Sequence, residues 1–414
     1  MRRIALLLAT ALIATSPALA APKGQAGKVW QAAEALRAEQ LTLLERLVNI
    51  DSGTGDKVSG QKAQELVADQ LRALGMDVTL IPAENAAYPD NLVATRKGRG
   101  KGRILLIAHT DTVFDPGTVA KRPFSTDGKR AYGPGVGDEK GGVVEGIMAI
   151  KLLSQLKHDD YASITFLVET SEERGSPGTR GLITKLVGTA DVELNLEPGD
   201  APDTLTVWRK GSNSFDITVK GRPAHAGVAP QLGRNAALEL IHQIQLADSL
   251  PKVGEGVTAN LTLMKAGSRY NIIPEDASAT FNVRIREKAQ GEAVDAVFRK
   301  NAATTIIPDT VVTVKREISY PPLPDNPQTQ ALATLAERIY AELDRRIARG
   351  GNGGASESAM AYEGGVAALD GLGPIGGGFH SELEYIELDS LTPRLYLLTR
   401  LMIETGKNPP ARRP

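Results

Sequence analysis

Apolar residues over 36–48 (Leu41, Leu43, Leu44, Leu47 and Val48 among polar neighbours) recur at the spacing of one helical face, and residues 61–74 repeat it until Gly75. Strand signals follow at 76–81 and 91–95. The run Ile104-Leu105-Leu106-Ile107-Ala108 is apolar on both faces, as a central strand of a sheet covered on both sides must be. Helix and strand then alternate: helix 146–156, strand 163–169, helix 179–187, strand 192–196. That rhythm predicts an α/β fold with a mostly parallel sheet covered by helices.

From Leu205 the rhythm changes to strand 214–219, helix 235–247, strands 257–264 and 278–286, helix 291–301 and strand 311–315. The order β-α-β-β-α-β predicts a ferredoxin-like α+β unit inserted into the first domain. Pro321, Pro322, Pro324 and Pro327 form a stiff return, after which residues 330–347 and 391–404 read as helices that complete the first domain. The resulting division is 21–204, an insertion over 205–317, and 318–414.

Composition narrows the function classes. The 414 residues carry 48 basic and 49 acidic side chains, a balance that gives no electrostatic reason for a nucleic-acid partner. There is no cysteine, so a metal site must use histidine and carboxylates. Arg2 and Arg3, an apolar run over 4–13 and Ala18-Leu19-Ala20 have the tripartite form of a cleavable signal over residues 1–20. The apolar run is too short to span a bilayer, which predicts a secreted protein without a membrane anchor, periplasmic if the host is Gram-negative.

Five short segments carry the chemistry. His109-Thr110-Asp111 directly follows the apolar strand, where α/β sheets place ligand-binding groups. A glycine-dense loop over 133–142 presents Asp138; the strand ending at Glu169 delivers Glu172 and Glu173; the strand ending at Leu196 delivers Glu197; and His380 lies after a late glycine-rich stretch. Any one of these suits a solvated surface residue. Together, at the ends of successive strands, they converge on one rim, where so much negative charge is costly without a cation. Two histidines and three carboxylates suit Zn²⁺, and a bridging carboxylate can hold two ions.

These motifs, in this order across nearly the whole mature chain, resemble the di-zinc metallopeptidase family that includes glutamate carboxypeptidase, acetylornithine deacetylase, succinyl-diaminopimelate desuccinylase and aminoacylase, with the glutamate carboxypeptidase branch most similar. The resemblance implies two zinc ions per subunit. His109 of H-x-D is then a ligand whose imidazole Asp111 orients. Asp138 bridges the ions, Glu173, Glu197 and His380 complete the ligand set, and Glu172 is the general base toward a metal-bound water. Glu172 and Glu173, read as an extended pair, point to opposite sides and so hold different roles. A cis peptide between Asp138 and Glu139 is also implied.

The insertion carries further matches. Gly221-Arg222-Pro223-Ala224-His225-Ala226-Gly227 is similar to the family segment whose histidine reaches a partner subunit's active site and stabilises the oxyanion, which implies a homodimer and a catalytic His225. Arg284 lies on the polar side of a strand in which Phe281, Val283 and Ile285 alternate with polar residues. By resemblance it binds the substrate's terminal carboxylate, with Asn271 as a second substrate contact. The implied activity is hydrolysis of the amide bond to a C-terminal amino acid, glutamate first, in peptides or N-acyl amino acids such as folates. An aminoacylase or dipeptidase fits the same site, and an inactive periplasmic binding relative is the remaining alternative. Where the branch reads G-G-G-T-D, this chain has Gly353-Gly354-Ala355-Ser356-Glu357, which leaves side-chain specificity open.

Overall fold

The computed structural model describes residues 22–247, 250 and 253–413. The signal segment lies outside the described residues. Among those residues, no helix is long and apolar enough to cross a membrane.

A six-stranded sheet forms the centre, in the order Asp77–Ile81, Asn91–Lys97, Ser163–Glu169, Arg103–His109, Val192–Asn195, Ala367–Leu369. The last four strands are mutually parallel, and the first two add on antiparallel, so the sheet is mixed, with its parallel part running from the middle to the edge strand Ala367–Leu369. The apolar strand is central, as its two-sided pattern requires: Leu106 pairs with Phe166 on one side and Leu194 on the other. One face packs on helices Gly24–Val48, Lys140–Gln155 and Leu391–Lys407 through a large apolar core. The other face is covered by Arg180–Val187 and Ser358–Glu363, where Leu105, Ile107 and Leu167 of the sheet and Ile183 of the former helix are fully buried.

The first helix starts at Gly24, well before the predicted 36, and its early turns already bury Gly27, Val29 and Ala33. The second starts at Lys57, where the Asp56 carboxylate caps it by accepting from the Ser59 amide at 3.1 Å. A seven-stranded sheet escaped the sequence pattern altogether. Several of its strands are two or three residues long, and it runs Ala348–Asn352, Thr204–Arg209, Gly199–Asp200, Ile375–Gly377, Tyr385–Glu387, Arg130–Tyr132, Ser125–Thr126.

Four antiparallel strands, in the order Thr258–Ala266, Asp276–Ile285, Gly211–Lys220, Val311–Tyr320, with helices Ala236–Leu246 and Lys288–Ala302, have the ferredoxin-like order. Their apolar face has its own core, centred on Phe215, Phe281 and Phe298. The chain enters this sheet at Gly211. Thr204–Arg209 pairs in the seven-stranded sheet instead, so Leu205, where the sequence division placed the insertion's start, belongs by pairing to the surrounding fold.

Candidate metal centre and active site

The parallel strands end on one rim and deliver their next residues there. His109 is the last residue of its strand, paired with Glu169, and is fully buried. Its Nδ1 faces the Asp111 backbone carbonyl at 2.9 Å and the Asp111 carboxylate at 3.4 Å, so the backbone makes the closer contact. The Asp111 carboxylate works mainly on other groups: Oδ1 accepts from the Glu172 amide at 3.1 Å, and Oδ2 accepts from the Glu173 amide at 3.3 Å and the Thr54 hydroxyl at 2.7 Å. One carboxylate thereby ties the histidine loop to the segment that carries both glutamates.

Glu172 and Glu173 lie in a single turn of 3-10 helix, Glu172–Arg174, and not in an extended segment. Their side chains still diverge. Glu173 Oε2 lies 3.1 Å from His380 Nε2, whereas Glu172 Oε2 lies 3.9 Å from His109 Nε2. Asp138 spans the two histidines, with Oδ1 3.1 Å from His109 Nε2 and Oδ2 3.2 Å from His380 Nε2. Glu197 Oε1 is 3.7 Å from His109 Nε2. Two donor groups result, His109 with Glu139 and Glu197, and Asp138 with Glu173 and His380, each with ligand atoms within 4.8 Å of one another.

The local backbone is shaped for this. Asp138–Glu139 is a cis peptide, and His380 has φ 60°, a left-handed conformation uncommon for a residue with a side chain. A Cβ at Gly142 would lie 2.1 Å from the Leu196 carbonyl oxygen, so only glycine lets the loop's following helix approach the strand end that carries Glu197.

Electrostatics follow from packing these groups out of water. Burial drives Glu172 well above the usual carboxylate range, and burial beside Asp138 pushes Glu197 up to about 7. Hydrogen bonding to Asp138 and Glu173 pushes His380 up to about 10. Burial lowers His109, but contacts to Asp111, Asp138 and Glu197 outweigh it and hold the imidazole well above its ordinary value. Glu139 Oε1 and Glu173 Oε1 are buried without a hydrogen-bond partner. An array of buried carboxylates with unpartnered oxygens and two imidazoles fits a pair of divalent cations, whose charge offsets the desolvation cost.

Asp138, Glu172, Glu173, Glu197 and His380 line a cavity of about 470 Å³ that also contains Arg174, Asn282, Arg284 and Tyr320. Arg284 is half-buried; its Nε donates to Asn282 Oδ1 at 2.9 Å and its Nη1 to the Gly353 carbonyl at 3.4 Å. The alternation predicted for its strand holds, with Phe281, Val283 and Ile285 buried. His225 and Asn271 are elsewhere. Both are exposed on adjoining loops of the ferredoxin-like unit, where the Ala226 amide donates to the Asn271 carbonyl and His225 Nδ1 accepts from the Gly227 and Val228 amides. Neither lines the cavity of its own chain.

Several residues of the site went unrecognised in the sequence. Glu139 accepts from the His109 amide at 3.0 Å and joins its donor group. Glu384 accepts from the amides of Gly135, Gly137 and Asp138 at 2.9 to 3.0 Å, fixing the glycine loop. Arg209 grips Asp370 at 2.6 and 2.7 Å and approaches Glu197 at 3.5 Å. Asn195 accepts from the Glu197 amide and donates to Glu357, the residue at which this chain departs from the expected aspartate. Only Glu384 left a signal in the sequence: a loop of closely spaced glycine amides requires an acceptor.

The sequence profile of peptidase family M20/M25/M40 matches residues 105–404. Carboxypeptidase G2 of Pseudomonas sp. (strain RS-16) is 34% identical over 409 residues, covering 97% of each chain. A metallo-carboxypeptidase of the M20 family from Sulfolobus solfataricus shares the fold at TM-score 0.71 and 16% identity, over 89% of this chain and 99% of that one. A dinuclear metal-binding M20 peptidase from Bacillus subtilis shares it at TM-score 0.65 and 15% identity, over 91% and 99%. The site and these likenesses agree: the chain belongs to peptidase family M20/M25/M40 and is a metallocarboxypeptidase.

Proposed function

We propose that the protein is a secreted, zinc-dependent exopeptidase that releases a C-terminal amino acid, glutamate by preference, from peptides or N-acyl amino acids such as folates. The observation that carries this reading is Arg284: a half-buried guanidinium without a carboxylate partner among the described residues, in the same cavity as Glu172, Glu197 and the donor group Asp138, Glu173 and His380. It suits a substrate's terminal carboxylate, bound through charge-assisted hydrogen bonds. Asn282, whose Oδ1 accepts from Arg284, and Ser212 line the same cavity and offer neutral polar groups to a glutamate side chain.

His109, Asp138, Glu173, Glu197 and His380 would hold the two metal ions. When bound, the metal pair supplies Lewis acidity that polarises the scissile carbonyl and acidifies the attacking water. Glu172 then takes a proton from that water on a carboxylate oxygen and returns it to the leaving nitrogen. Arg284 fixes the carboxylate end, so that the amide lies against Glu172. Asp111 holds the Glu172 amide and thereby the position of the base.

The ferredoxin-like unit is the lid and dimerisation domain in this reading. Leu261, Leu263 and Met264 on its edge strand and Leu238 and Ile241 on its helix are exposed apolar residues, the kind of surface a second subunit covers. His225, outside its own cavity, then serves the partner's active site as an oxyanion donor, with Asn271 beside it as a substrate contact.

The test is hydrolysis of folate, N-acyl amino acids and peptides that vary the last residue, by zinc-loaded protein with and without chelator. Chelator-sensitive release of glutamate is the expected result. Release of other residues alone moves the assignment to an aminoacylase or dipeptidase, and saturable binding without turnover moves it to a binding protein.

A further inference from the structure

A second cavity, of about 650 Å³, opens beside the first between the loops at 53–58 and 112–116. Glu173 and Arg174 line both, so the two spaces meet at the metal centre. A trans amide sends its two substituents to opposite sides. With the terminal carboxylate on Arg284 and the amide at Glu172, the acyl portion therefore points away from the first cavity.

The charged groups around the two cavities differ in what they already hold. Arg209 is committed to Asp370, and Arg284 to Asn282 and the Gly353 carbonyl. In the second cavity, Lys57 donates to the Ala86 carbonyl at 2.8 Å, Asp56 caps a helix, and the Thr54 hydroxyl is held by Asp111. Arg174, on the shared wall, is exposed, and its guanidinium has no hydrogen bond or ion pair among the described residues. Asp56 and Asp115, also on the cavity wall, repel an anion near them, and Glu173 belongs to the donor group with Asp138 and His380, which leaves Arg174 as the place for one.

We propose that the second cavity is the acyl-side subsite and that Arg174 is its specificity-determining residue, favouring, among the peptides and N-acyl amino acids of that reading, those whose acyl group carries a carboxylate. A guanidinium forms paired hydrogen bonds to such a group, and a neutral amide of the same shape engages it less strongly. The inference rests on the hydrolase reading above.

The experiment compares kcat/KM for the N-succinyl and N-succinamyl derivatives of one amino acid, equal in shape but different in charge, on zinc-loaded wild type, Arg174→Gln and Arg174→Glu. Wild type favours the succinyl compound by about fivefold or more, Arg174→Gln brings the ratio near one, and Arg174→Glu reverses it. A ratio that is the same in all three proteins overturns the proposal, as does an equal loss on both substrates. If wild type shows no chelator-sensitive hydrolysis of either compound, release of glutamate from folate under the same conditions separates the two readings: with release the hydrolase reading stands, and without it that reading fails by itself. Calorimetric affinities for the same pair then decide the subsite: discrimination lost in Arg174→Gln sustains it, and equal affinities in wild type overturn it.

Discussion

Glu172 and Glu173 are chemically identical neighbours, and their surroundings separate them. Glu173 lies against His380 and Asp138, within a donor group, whereas Glu172 is buried by the same turn but stands off from His109 at 3.9 Å. If Glu172 is the base, Glu172→Gln keeps the shape and removes it. The expected loss is about 10²–10⁴-fold in kcat with metal content unchanged, read by steady-state kinetics beside metal analysis. Arg284→Gln instead weakens substrate capture, raising KM by about 10- to 100-fold for substrates with a free terminal carboxylate and little for their amides. Away from the site, Glu145 is fully buried in the helix Lys140–Gln155 with both carboxylate oxygens unpartnered. Burial drives it well above the ordinary range, and the Arg394 charge offsets this only in part. A carboxyl raised in the folded state is protonated there and ionised in the unfolded chain, so its contribution is fully present at low pH. It is lost as pH rises above the ordinary glutamate range. Glu145→Gln should therefore flatten the fall in urea midpoint between about pH 5 and about pH 8, a slope of up to about 1.4 kcal/mol per pH unit for one proton.

Among the elements, the glycine loop at 133–142 is held by a residue almost 250 positions later. Glu384 accepts three of its amides, and the loop's last turn sets both carboxylate oxygens of Asp138 between two histidines. Glu384→Ala leaves those amides unpaired and Asp138 loosely placed, and should cost about 10- to 100-fold in metal affinity, measured by chelator competition. The element pattern itself was largely legible. Two-sided apolar character marked the central strand Arg103–His109, and alternation marked Asp276–Ile285 with Arg284 on its polar side. Ends and short pieces were not, since caps such as Asp56 act through one hydrogen bond, and strands of two or three residues leave no period to read.

For the molecule as a whole, the separation of His225 from its own cavity is the feature with the largest consequence. If the histidine acts on a partner's site, Glu172→Ala and His225→Ala are each inactive alone. Mixed and allowed to reassort, they regain about a quarter of wild-type activity, because half the dimers are mixed and each holds one intact site. No recovery after verified exchange would show that His225 does not act in a partner's site.

The sequence by itself determined the alternation of helices and strands, the inserted β-α-β-β-α-β unit and the residues of both donor groups apart from Glu139. Those features are written in local periodicity and in residue types whose chemistry is restricted, and the parallel strands need only end on one side for the groups to meet. Tertiary structure alone decided what steadies them: Glu384 on the glycine loop, Asn195 and Arg209 around Glu197, and Asp111 on the amides of Glu172 and Glu173. It also decided that Arg284 shares a cavity with Glu172 while His225 does not. Such contacts join residues far apart in the chain and depend on distances and burial, which no local pattern encodes.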